Sequence, residues 1–331
     1  MKRRGFIAAL AAAPALAQTP REVAVGAYLI PGTPSDALFK DFGRRLAADS
    51  AGALKPNMLV HGEGGSEEQV LIALRRGRIH VASLSTLILS SIIPEMGLLS
   101  APYLFDSQDE FDFVLDSTIV PEANALAAAK GLVALRWIEL GPNNLYAKKP
   151  ILTPADAKGV RIRVSQDPAA SLFLKAVGAD VIYLASPDVV PGLQTGLIAG
   201  GITPTIGYAQ TGITPEAPHL SVIEYTEIGN LLVANKSWLD GLPADQAKVV
   251  TGAFASNAEI RTVIRRMVAD SMARQKELGF TAYELNASQR AEWRAAANGV
   301  TTQLIGQIGG GAQALFDAIQ RGRAAFAARK S

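Results

Sequence analysis

The chain has 331 residues, 49% of them hydrophobic and only 19% charged, and it contains no cysteine. Its 32 basic and 30 acidic residues leave a formal charge of +2, which is no electrostatic footprint for nucleic acid or an anionic membrane. Without a thiol there is no disulfide, no cysteine nucleophile and no lipid-modified cysteine anchor, and the length supports two domains with well-buried cores.

The chain opens Met1-Lys2-Arg3-Arg4, turns apolar over residues 5–13, and reaches Pro14-Ala15-Leu16-Ala17 before the polar Gln18-Thr19-Pro20. A basic start, a short apolar middle and an Ala-x-Ala site predict a secretory signal peptide over residues 1–17. The apolar run is too short to span a bilayer as a helix. Arg3-Arg4-Gly5-Phe6-Ile7 also fits a twin-arginine signal, so the export route stays open. Cleavage removes Lys2, Arg3 and Arg4 and no acid, which lowers the formal charge by three to −1. The mature protein is expected to be free and soluble in the periplasm, because no later apolar stretch approaches the length of a membrane span, about 20 residues.

From the new N-terminus, Glu22-Val23-Ala24-Val25-Gly26-Ala27-Tyr28 reads as a strand. A capped helix follows over about 36–50, with Leu38, Phe39, Phe42 and Leu46 at helical spacing. Met58-Leu59-Val60-His61 reads as the second strand, 67–76 as a helix stopped by Gly77, and Ile79-His80-Val81-Ala82-Ser83 as the third strand. That β-α-β-α-β order implies a parallel sheet. The glycine loop at 62–65 lacks both Gly-x-Gly-x-x-Gly spacing and a Gly-Lys-Ser/Thr ending, so it is read as lining a cleft rather than cradling phosphate.

Helices are predicted over about 107–115 and 121–130, then a buried strand over 132–138 that Gly141-Pro142-Asn143-Asn144 breaks and Leu145-Tyr146-Ala147 resumes. Such a strand, leaving one sheet and entering another, is how a hinge would look. A second half repeats the pattern: a strand from Arg161 to Val164, a helix over 167–177, a strand over 180–183, a helix over about 187–194, and Gly200-Gly201-Ile202-Thr203-Pro204. Apolar strands follow at 221–225 and 231–235. Residues 243–278 hold no internal proline and carry Val249, Val250, Phe254, Ile260, Val263, Ile264 and Met267 as a stripe. One helix of that length would be about 50 Å long and would lie across both domains. The tail, 288–329, reads as helical with an interruption at Gly309-Gly310-Gly311.

In Lys158-Gly159-Val160-Arg161-Ile162-Arg163-Val164 two arginines stand two apart on a strand, where side chains share a face. A guanidinium is too costly to bury alone. Either this is a solvated edge with structural ion pairs, or a fork that receives a ligand carboxylate.

Catalytic constellations are missing. There is no Gly-x-Ser-x-Gly elbow, and His61, His80 and His219 are scattered without metal-ligand spacing. Glu67 and Glu68 are adjacent on a helix, point in different directions, and read as an N-terminal charge bias. The expectation is a protein without metal, cofactor or catalytic residues.

Several motifs in order give the chain a family likeness. They are 65–77 with Ile79-His80-Val81, Pro94-Glu95, Pro102-Tyr103-Leu104-Phe105, the stretch from Asp156 through Arg163 to Val164, Val177-Gly178-Ala179, Leu193-Gln194-Thr195-Gly196, and Asn235-Lys236-Ser237-Trp238 before Leu242-Pro243. Over nearly the whole mature chain the sequence resembles the periplasmic solute-binding proteins of TRAP transporters (DctP type). The resemblance implies an α/β, two-domain periplasmic-binding-protein-like (type II) fold with a long helix spanning both domains. Domain I would comprise 18–138 and 226–260, and domain II 139–225 and 261–331, sharing the helix at about 243–278. It implies a receptor that closes over an organic acid and delivers it to the TRAP membrane permease subunits. It also implies that Arg163 forms a salt bridge with the ligand carboxylate, with Arg161 left as a partner or surface charge.

The sequence departs from the family at Ala199, Ile202 and Thr203, where many members carry an acid, a glutamate and an amide, and at Asn143 or Asn144, where a second arginine is common. Fewer charged anchors suggest a less polar acid, such as a monocarboxylate with an apolar or aromatic part. Asn143, Asn144, Thr203 and Gln166 are expected as polar contacts around Arg163, Glu67 as a rim residue, and Tyr208, Tyr183 and Asn230 as further residues reaching the cleft. Two other readings remain: a two-domain receptor for another transport or signalling system, and an exported hydrolase or isomerase using Glu67 or His61.

Overall fold

The computed structural model describes residues 19–329, so the predicted signal peptide lies outside the described residues. Nine strands form one sheet among them: β1 (Arg21–Gly26), β2 (Leu54–Leu59), β3 (Val81–Ser85), β4 (Leu132–Ala147), β5 (Arg161–Val164), β6 (Asp180–Tyr183), β7 (Gly200–Pro204), β8 (His219–Asn235) and β9 (Thr281–Glu284). Their order is β2-β1-β3-β8-β4-β7-β5-β6, with β9 paired to β8. β1 is parallel to β2 and β3, as the alternating pattern predicted. β2 begins earlier than the apolar run at 58–61 because its exposed Lys55 and Asn57 alternate with less exposed neighbours at the edge of the sheet.

Two strands carry the architecture. β4 has 16 residues and β8 has 17, and they pair antiparallel from Leu132↔Asn235 to Ala147↔His219. At about 3.4 Å per residue each reaches across two domains. One end of β8 pairs with β3 and the other with β9, while the far half of β4 pairs with β7. The sequence reading split each of these strands in two, and the structure joins them. Register shifts between Ala134 and Arg136, Glu139 and Gly141, and Asn143 and Leu145 let β4 bend and twist without ending. Gly141, at φ 85°, takes a left-handed conformation that most residues avoid. The expected domain boundaries at 138/139 and 225/226 fall inside these two continuous strands.

The single long helix expected over 243–278 is corrected to two, Ala244–Gly252 and Asn257–Ala273. The physical reason is local. Ser256 caps the second helix in a capping box with Glu259. The carbonyls of Phe254 and Ala255, freed by the break, accept from the Arg136 guanidinium on β4 at 3.3 and 2.9 Å. Asn257 in turn accepts from the Trp137 backbone N–H at 3.1 Å, so the break is docked on β4. The second helix is fastened by charge as well. Arg265 binds the wholly buried Glu139 through Nε and Nη2, both at 3.0 Å, and Asp112 at 2.6 and 2.9 Å.

Two further differences are smaller. The helices Gln108–Val114 and Val120–Ala129 are joined by a π-helical stretch, Leu115–Ile119, into one continuous run. The tail is three helices, Ala287–Ala296, Val300–Ile308 and Ala312–Ala328. Apolar clusters cover both faces of the sheet in each half, one of them built on Phe173 stacked against Tyr225 and tilted against Trp293. Among the described residues no helix is long and apolar enough to cross a membrane.

Candidate functional site

The second half of the sheet places the arginine strand between β7 and β6. Tyr146 pairs with Gly201, Gly201 with Arg163, and Arg163 with Ile182, so these four stand in one row across the sheet and share a face. Arg161 starts the strand in solvent, whereas Arg163 is only 7% exposed. The Arg163 Nε–H donates to the Leu184 carbonyl at 2.9 Å, which fixes the plane of the guanidinium. Among the described residues no carboxylate pairs with it, and burial pushes its pKa down from the ordinary arginine value. A buried cation with one N–H used and no acidic partner among the described residues has the chemistry to accept an anion.

Tyr146 leans over Gly201, where a Cβ would collide with its hydroxyl. Its ring is wholly buried, its hydroxyl has no partner among the described residues, and burial raises its pKa to about 12 against the opposing charge of Arg163. Tyr208, expected at the cleft, supports this ring from behind. It stacks on Tyr146 with centroids 5.6 Å apart and donates its hydroxyl to the Ala217 carbonyl at 2.8 Å. Being fully buried, it has no free polar group to offer.

Asn144 and Thr203 pair across β4 and β7 two residues from Tyr146 and Gly201, on the Arg163 face. Both ends of the Asn144 amide are engaged: Nδ2 donates to Thr205 Oγ1 at 3.1 Å, and Oδ1 accepts from the Glu224 N–H at 2.9 Å. Asn143, one position earlier, belongs to the opposite face. It donates to Tyr225 Oη at 3.2 Å and leaves Oδ1 without a partner. Tyr183 is also separated from Arg163 by the register, since it pairs with Val164. It is 53% exposed, with its hydroxyl 2.6 Å from Ser171, and shares a surface recess with Gln166 and Lys175. Strand parity alone could not reveal this division.

In the first half, Glu67, Ser85 and Asn230 come together. Glu67 accepts from the Ser85 N–H and hydroxyl at 3.0 and 2.9 Å, which ties it to the cap of the helix Thr86–Ser90; burial raises its pKa. Asn230 pairs with Ser85 on β3, donates to Ser83 Oγ at 3.2 Å, and has an unpartnered buried Oδ1. Tyr28, which the sequence reading placed inside a strand, lies past the carboxyl end of β1, 73% exposed and bridged to His61. Carboxyl ends of strands are where open α/β sheets take ligands.

The histidines are structural. His61 Nε2 lies 2.9 Å from Asp36 Oδ1, His80 accepts from the Ala24 N–H at 2.9 Å and stacks on Trp238, and His219 lies 2.9 Å from Tyr283 Oη. Asp36 is buried, which pushes its pKa up, but bonds from Lys40, the Gly32 N–H and His61 outweigh this and hold it at about 2. No group of three His, Cys, Asp or Glu residues suited to a metal ion occurs among the described residues.

The profile of the bacterial extracellular solute-binding protein, family 7 (DctP), matches residues 25–307. The chain belongs to this family. It is therefore a solute-binding receptor of the DctP type rather than an enzyme. The C4-dicarboxylate-binding periplasmic protein DctP of Rhodobacter capsulatus is 23% identical over 299 residues, covering 89% of this chain and 90% of the relative. The 2,3-diketo-L-gulonate-binding periplasmic protein YiaO of Escherichia coli is 27% identical over 234 residues, 70% of each. Among solved structures, the sugar acid binding protein DctPAm of Advenella mimigardefordensis, in complex with galactonate, superposes with a TM-score of 0.83 at 26% identity. That match covers 92% of this chain and 99% of the other. A TRAP periplasmic solute-binding protein of Roseobacter denitrificans shares the fold at TM-score 0.82 and 22% identity, over 90% of this chain and 99% of that one. The two-domain α/β fold inferred for this DctP-type receptor is thus the fold it has.

Proposed function

We propose that the chain is the extracytoplasmic receptor of a TRAP-type transporter, exported to the periplasm, that binds an organic acid through a salt bridge between its carboxylate and Arg163. The observation that carries this reading is the buried Arg163 guanidinium, held by Leu184 and without an acidic partner among the described residues. A planar guanidinium with both Nη groups unclaimed by acids receives a carboxylate in a two-bond fork that a lysine cannot reproduce. Burial adds to the selectivity, because a neutral group in the same place would leave the cation unpaired.

Domain I (18–138 and 226–260) and domain II (139–225 and 261–331) would close over the acid by rotation about β4 and β8, where the register shifts concentrate. Reopening at the permease would release it. Arg163 is the one cation in its row, with Ile182 and Tyr146 as neighbours, which suits a monocarboxylate. Galactonate, bound by the Advenella mimigardefordensis protein, is itself a monocarboxylate. An apolar or aromatic part on the ligand would lie toward the partly exposed Ile182.

A thermal-shift screen of the mature protein against organic acids and their neutral amides tests the reading. Acids including galactonate, succinate and aromatic monocarboxylates are compared with their amides at equal concentration. Stabilisation by at least one acid and not by its amide is expected. Equal stabilisation by acid and amide would exclude a carboxylate-directed site.

A further inference from the structure

A second feature lies where the two halves of the molecule meet. A cavity of about 140 Å³ lies against β8 and is lined from both halves of the molecule: by Tyr103, Asp106, Phe111 and Glu227 from one, and by Glu224 and Arg294 from the other. Glu227 sits in β8 opposite Pro142, between the register shifts of β4. The residue is partly exposed, but its Oε2 is buried and has no hydrogen-bond partner among the described residues.

The charges around it do not neutralise it. From β4 it faces Glu139, from its own strand Glu224, and from the helix Gln108–Val114 Asp112, against the opposing charge of Arg265 on the helix Asn257–Ala273. That cation is already bound to Glu139 and Asp112. At the mouth of the cavity Asp106 is held by Arg294 and Arg323, and Glu224 by Arg290. Tyr103 donates its hydroxyl to the Ile223 carbonyl, and Tyr225 Oη accepts from Asn143.

We propose that Glu227 is a proton-linked latch on the hinge: its neutral carboxyl favours the arrangement of the two halves described above, and its ionisation favours one in which water reaches the junction. The step moves one proton, from the Glu227 carboxyl to solvent. With Oε2 buried and unpartnered among the described residues, the ionised carboxylate is costlier there than the neutral carboxyl. Desolvation, reinforced by Glu139, holds the proton on Glu227 up to a pKa of about 8. Because β4 and β8 are the two strands that run through both halves, any rotation about them changes the hydration of this cavity. By linkage, a group that ionises more easily in one arrangement shifts the balance toward it as pH rises. The latch is thus closed below about pH 8 and loosened above it.

The latch is independent of the ligand, but its effect on affinity rests on the receptor reading. Small-angle scattering of the ligand-free protein at pH 6.5 and pH 9 tests the latch directly. The unsubstituted protein is expected to expand between the two, and Glu227→Gln, which mimics the neutral acid, to stay compact at both. Equal dimensions at both pH values in the unsubstituted protein, or the same expansion in Glu227→Gln, would overturn it. Calorimetry with an acid identified by the screen is the second arm. Affinity should fall about fivefold or more from pH 6.5 to 9 in the unsubstituted protein and stay level in Glu227→Gln. A bound carboxylate does not titrate in that range. If no acid binds at any pH, the receptor reading fails while the scattering result still decides the latch.

Discussion

Tyr146 lies over Gly201 so closely that no side chain fits between them. Gly201 also pairs with Arg163, so the glycine opens the space in which a buried tyrosine and a buried arginine share one face of the sheet. Gly201→Ala should force the Tyr146 ring aside, destabilise the protein by about 1–3 kcal/mol through overpacking, and weaken ligand binding. Denaturant unfolding and calorimetry check the two effects. Unchanged stability would mean that the ring yields without loss.

The Tyr146 hydroxyl is buried without a partner. Tyr146→Phe removes that group and keeps the ring stacked on Tyr208. Stability should stay level or rise by about 1 kcal/mol, measured by urea unfolding. A clear loss would reveal a bond that the hydroxyl makes elsewhere.

Arg265 neutralises Glu139, which is wholly buried in β4. Arg265→Ala should cost about 3–5 kcal/mol, because it leaves an uncompensated buried charge. Arg265→Ala combined with Glu139→Gln should recover part of the loss. Thermal denaturation of the single and double variants reads the difference.

Asp167 caps the helix Pro168–Ala176 with two backbone bonds, yet burial raises its pKa to about 6. Between the ordinary carboxylate value of about 3.9 and about 6, the folded chain therefore holds a proton that the unfolded chain releases. Its contribution to stability is fully present below the unfolded value and declines as pH rises through about 6. Asp167→Asn keeps a capping side chain without the charge. It should be more stable than the unsubstituted protein at pH 8 and close to it at pH 3.5. Melting curves across that range check the crossover.

What could be read from the sequence follows the range of each interaction. The strand Arg161–Val164 is legible because its β-branched run is a local signal, and the break before Asn257 is legible in principle, since Ser256 and Glu259 form a capping box three residues apart. The apolar stripe that continues on both sides of it, from Val249 to Met267, masks that cap. The opposite faces of Arg163 and Tyr183 depend on how β5 and β6 are registered, and a one-residue slip would reverse them. Glu139, Glu227 and Arg265 had no local signal at all. They meet only because β4 and β8 pair along their whole length and a distant helix packs across them.

The central claim, that Arg163 anchors a ligand carboxylate, is tested most directly by calorimetry of the unsubstituted protein and Arg163→Ala with the same acid, alongside unfolding curves for both. The account predicts loss of affinity by two orders of magnitude or more, about 3 kcal/mol for a charge-assisted pair, with the variant still folded. A folded Arg163→Ala protein that binds the acid with unchanged affinity would contradict it.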